Sequence, residues 1–165
     1  MATRSNIIIR KKNKEGIGVY QQLYHHYDGY PESGVGEELQ EYVNNVPKRN
    51  CLSARGFANY LNKQDDSYEI EGKGKLNIHG DIEYLYVVDL DAQKIFCYDI
   101  FLFTEDEISD DVDFACGLAN KVVTTWSGNK RYESVEIYRS NFSDKFADVI
   151  IDHKARELAD AKLNE

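Results

Sequence analysis

A chain of 165 residues with 42% hydrophobic and 30% charged residues fits a single domain with one main core, and a formal charge of −9 disfavours binding duplex nucleic acid across a whole face. No run of about eighteen apolar residues occurs, which argues against a membrane span, and Ile7-Ile8-Ile9 is too short for a signal-peptide core, so a cytoplasmic protein is expected. Cys51, Cys97 and Cys116 are widely spaced with no C-x-x-C, which argues against a disulfide framework or a cysteine zinc site.

In chain order, residues 6–10 are β-branched and read as a strand, the polar stretch 11–16 as a turn, and 17–24 as a second strand closing a hairpin. The segment Tyr24-His25-His26-Tyr27-Asp28-Gly29-Tyr30-Pro31-Glu32 follows, with Asp28-Gly29 as a turn dipeptide. Over 34–46, Val35, Leu39, Tyr42, Val43 and Val46 recur at helical spacing, and Pro47 is a natural stop. A second helix is expected over 53–63, with Phe57, Tyr60 and Leu61 on one side. Weak strands are expected at 68–71 and 75–79, then strong ones at 83–90 and 94–103. Consecutive apolar residues such as Leu85-Tyr86-Val87-Val88 suit central strands covered on both sides. A helix is predicted over 111–121 and strands over 122–126 and 132–138. A long final helix is predicted over 144–163, with Phe146, Val149, Ile150, His153, Glu157 and Leu158 in register and Ser143 as its N-cap. The expected fold class is α+β: an antiparallel sheet of about five to seven strands, an N-terminal hairpin plus a central meander, with helices packed on it as one domain over 1–165.

The tyrosine-histidine segment concentrates the candidate chemistry. His25, His26, Asp28 and Glu32 can all ligate a metal or move protons. Adjacent histidines in a strand point to opposite faces, so these two converge only if the strand has ended by Tyr24. Neither H-x-x-x-H nor H-E-x-x-H occurs, so no metal and no other cofactor is expected. A buried histidine bonded under the loop, a ligand contact, and a His26–Asp28 general-base pair of a hydrolase remain three readings of the same residues. Gly29, Gly34 and Gly36 flank a helix start whose free N–H groups favour anions. With His25, His26, Tyr27 and Tyr30 they frame a possible nucleotide or phosphate site, with Arg4 or the basic run Arg10, Lys11, Lys12 and Lys14 nearby; no P-loop pattern is present. Tyr20, Tyr24, Tyr27 and Tyr30 pair flat apolar faces with polar tips. That suits a protein partner or a base, and equally a core corner sealed by hydroxyls. Glu105, Asp106, Glu107, Asp110, Asp111 and Asp113 form an acidic run, either a solvated face or a patch that steers a charged partner. No catalytic nucleophile is identified: G-x-S-x-G is absent, and His79 and Asp81 read as turn residues.

Thr3-Arg4-Ser5-Asn6-Ile7 and His26-Tyr27-Asp28-Gly29-Tyr30-Pro31-Glu32, followed by Gly34 and Gly36, resemble a group of small uncharacterised phage and bacterial proteins. Those share a T-R-S-N-I-like start and an H-[WY]-D-G-Y-P-E loop before a helix. The resemblance covers about the first 45 residues and lends no catalytic residues. It implies a phage or mobile-element setting, in which small acidic proteins often antagonise host defence. The leading expectation is therefore a non-enzymatic binding protein, an anti-CRISPR-like inhibitor of a host protein acting through its acidic or tyrosine-rich surface. The alternatives are a small-molecule or nucleotide module and, below it, a His/Asp hydrolase. A homo-oligomer fits the tyrosines and apolar strands as well as a monomer does.

Overall fold

The computed structural model describes residues 2–71, 78–105, 122–127 and 130–163. The acidic residues Asp106, Glu107, Asp110, Asp111 and Asp113, the helix expected over 111–121, Cys116 and most of the strand expected over 75–79 lie outside them; Ile78 and His79 are described and belong to no strand.

Seven strands form one sheet: β1 (Arg4–Lys12), β2 (Gly18–His25), β3 (Glu69–Ile70), β4 (Ile82–Asp89), β5 (Lys94–Glu105), β6 (Val122–Ser127) and β7 (Lys130–Asn141). Their order is β3-β2-β1-β4-β5-β7-β6. The fold is α+β, and the sheet is mostly antiparallel as expected. Its centre departs from that expectation, because β1 and β4 run parallel. The crossover between them carries α1 (Val35–Asn45) and α2 (Ala54–Gln64), and a third helix, α3 (His153–Leu163), ends the chain. A parallel pair needs such a long connection, and the two amphipathic helices supply it.

Register sorts the side chains. Ile8 pairs with Val87 and Val87 with Phe96, so these share one face; Ile7, Tyr86 and Cys97 share the other. On the second of these faces Ile7, Ile9, Leu23, Tyr86 and Val88 pack against Val35, Leu39 and Val43 of α1, Phe57 and Leu61 of α2, and Ala155 and Ala159 of α3. The opposite face is also buried, through Ile8, Leu85, Val87, Phe96, Tyr98 and Ile100. The consecutive apolar runs of β1 and β4 follow from burial on both sides. Among the described residues, no helix is long and apolar enough to cross a membrane.

The last helix departs from the sequence reading. Instead of starting near residue 144, it starts at His153, and only a 3-10 turn, Phe146–Asp148, forms before it. Gln40 and Asn44 of α1 explain this. The Gln40 amide donates to the carbonyls of Asn141 (2.9 Å) and Asp144 (2.7 Å), and Asn44 donates to those of Phe142 and Asp144. These bonds hold residues 141–144 in a turn against α1. The real cap is Asp152, whose carboxylate accepts from the Ala155 N–H at 3.0 Å, and not Ser143.

Candidate functional site

Strand β2 continues through His25, so the two histidines diverge. His25 is 1% exposed and sits on the helix side of the sheet, its ring against Tyr27 (4.8 Å between centroids) and Tyr68 (4.6 Å). Its Nδ1 meets the Tyr27 carbonyl, which fixes the proton on Nδ1. Among the described residues, its buried Nε2 has no hydrogen-bond partner. His26 is exposed on the opposite side and pairs through Nε2 with Glu69 at 2.7 Å. The contact made by His26 is thus with β3 rather than with Asp28. Among the described residues, no three ligating side chains gather within reach of a metal ion.

The loop after β2 is fastened through its backbone. The Gly29 N–H donates to Thr3 O at 3.0 Å, and Gly29 O accepts from the buried Tyr86 hydroxyl at 2.7 Å. The two segments that carry the resemblance, the start of β1 and the Asp28-Gly29 turn, are therefore contact partners. The first N–H groups of α1 are used internally: Val35 donates to Asp28 O (2.8 Å), Gly36 to Tyr30 O (3.1 Å) and Glu37 to Pro31 O (2.9 Å). Donors expected to face an anion are thus satisfied by the loop itself. Arg4 is likewise engaged, with Asp81 at 3.3 Å. A side chain at Gly36 would meet Pro31 Cα at 2.6 Å and the Tyr138 hydroxyl at 2.8 Å, and one at Gly34 would overlap Asp28 O. Asp28 (φ 51°) and Ser33 (φ 59°) take the left-handed conformation, which short polar residues tolerate.

This scaffold turns two tyrosines outward. Tyr27 is 46% and Tyr30 42% exposed, whereas Tyr24 is buried. The Tyr24 ring lies between His26 (4.4 Å, edge-on) and His79 (4.0 Å, tilted), and its hydroxyl donates to Asp81. Burial, then that bond, push the Tyr24 hydroxyl up to about 12. His79 pairs with Glu71 at 2.6 Å, not with Asp81. Two of the four residues of the basic run are paired: Arg10 with Asp89 at 3.2 Å and Lys11 with Asp91 at 2.6 Å.

A second constellation adjoins the loop. Glu32 binds Arg156 of α3 at 2.7 Å, and Arg156 also donates to the Tyr84 hydroxyl at 2.9 Å. Burial alone would raise the Glu32 carboxyl, but the Arg156 bond, a backbone hydrogen bond and the Arg156 charge together outweigh it and hold it below its usual value. Tyr30 stands 6.5 Å from Tyr84, ring to ring. Asp99 of β5 lies beneath α3 and is 7% exposed. Burial, then the neighbouring Asp160 carboxylate, raise Asp99 to about 7. Sequence reasoning missed Tyr84, Asp99 and Arg156. The available signal was Asp99 itself, a carboxylate inside the apolar run Phe96-Cys97-Tyr98-Asp99-Ile100-Phe101. Comparison with protein-family models, curated proteins and solved structures returned no match.

Proposed function

We propose that the protein is a non-enzymatic binding protein that engages a partner protein through Tyr27 and Tyr30. The observation that supports this is the exposure of both rings on a loop whose backbone groups are bonded to Thr3, β4 and α1. Tyrosine offers large amphipathic contact area with few rotors, and a loop already held in one conformation pays little ordering entropy on binding. Catalysis by His26 with Asp28 has less support, since His26 is paired with Glu69. A phosphate site at the helix start has less support, since its donors are occupied.

The resemblance of the first 45 or so residues extends the proposal to a phage or mobile-element protein that antagonises a host protein. Capture from a bacterial lysate, quantified by mass spectrometry, tests the binding reading. A protein enriched by the wild type and lost with the Tyr27→Ala/Tyr30→Ala variant is the expected result, with the variant's melting temperature as the folding control. Capture of the same proteins by both would overturn it. Repeating the capture at rising salt separates the modes: the acidic-surface version weakens steeply, and the tyrosine version holds.

A further inference from the structure

Asp99 lies on the helix side of β5, opposite Tyr84 of β4 and Val135 of β7. Asp99 is 7% exposed, so its carboxyl is largely withdrawn from water. The charged groups that face it are Asp160 and Arg156 from α3 and Glu83 from β4; β7 sets the uncharged Val135 beside it. Arg156, the cation of that set, already directs Nη1 to Glu32 and Nη2 to Tyr84. The helix that closes over this floor carries polar contacts through Arg156. Among the side chains described, its buried apolar residues are Ala155 and Ala159, and Leu158 is exposed. Alanines remove less apolar surface from water than leucines would, so the polar contacts weigh in the docking of α3.

We propose that α3 is a pH-gated latch: it docks on β5 while Asp99 is neutral and loosens when Asp99 ionises, releasing the Arg156 tie to Glu32 in the tyrosine loop. A neutral carboxyl costs far less beneath the helix than a charged one. An ionised one is largely withdrawn from water and opposes Asp160 across the same interface. Burial and Asp160 place the change of charge near neutrality, with Arg156 pulling the other way. The latch is an intramolecular property and stands whatever Tyr27 and Tyr30 bind.

Hydrogen–deuterium exchange on the full chain at about pH 6 and about pH 8.5, corrected for intrinsic exchange, tests it. Protection of residues 153–163 is expected to fall at least about threefold at the higher pH, with β1 unchanged. In Asp99→Asn, α3 is expected to stay equally protected at both. Equal α3 protection in the wild type overturns the latch, as does a pH effect that persists in a folded Asp99→Asn variant. If that variant does not fold, the carboxyl carbon of Asp99 is titrated by NMR in the wild type. A midpoint near neutrality supports the latch, and a midpoint near the ordinary value of about 4 overturns it.

Discussion

Gly36 sits where α1 meets Pro31, with backbone on one side and the buried Tyr138 hydroxyl on the other. Backbone cannot step aside as a flexible side chain can, so Gly36→Ala is expected to cost about 2–3 kcal/mol in urea unfolding, near the upper end for overpacking. The sequence marked this glycine as special but left the reason open, since a glycine at a helix start serves an anion site and a close backbone crossing equally well. Asp99 gives a second test at the same scale. Its folded value of about 7 exceeds the unfolded value of about 4, so the folded state holds a proton that the unfolded state has lost between those limits. Its favourable contribution is complete below about pH 4, declines as pH rises, and is gone above about pH 7. Asp99→Asn is therefore expected to flatten the pH–stability profile over that window and to stabilise the protein at pH 8 by roughly 1–3 kcal/mol.

The elements read from periodicity were mostly found where expected. β1 and β2, α1 and α2, and β4 and β5 match the apolar spacing to within a few residues, because that spacing records burial directly. The start of α3 was not legible. Phe146, Val149 and Ile150 have helical spacing, yet their segment is held by Gln40 and Asn44 from about a hundred residues earlier, and periodicity carries no trace of such a bond. Gln40 is buried, and it also accepts from the Ser140 hydroxyl at 2.6 Å. Gln40→Ala is expected to lower stability by about 1–2 kcal/mol, because it leaves the buried Ser140 hydroxyl without its acceptor, while the Asn141 and Asp144 carbonyls keep the Asp144 N–H and the Asn44 amide. The predicted loss shows in chemical denaturation, with exchange increased first over residues 141–152.

Across the whole molecule, the decisive property is a sheet buried on both faces around the parallel β1–β4 pair. The composition of β1 carried part of this, since three consecutive isoleucines cannot all face one side. Ile7→Ala and Ile8→Ala are accordingly expected to destabilise by similar amounts, about 2–5 kcal/mol each. A negligible effect of Ile8→Ala would mean that one face is solvated. The parallel pairing itself was hidden, because local patterning does not encode strand order. His25 and His26 diverge because the strand runs past Tyr24, by one residue. Double burial also makes the tyrosine loop a fixed platform, since Tyr86 reaches Gly29 from inside the sheet. The most direct test of that platform is the exchange rate of the Gly29, Val35, Gly36 and Glu37 amides, measured by NMR in the free protein. The account predicts exchange at least about a hundredfold slower than in an unstructured peptide. Rates within a few-fold of the unstructured values would contradict it, because Tyr27 and Tyr30 would then be carried on a segment with no fixed conformation to present.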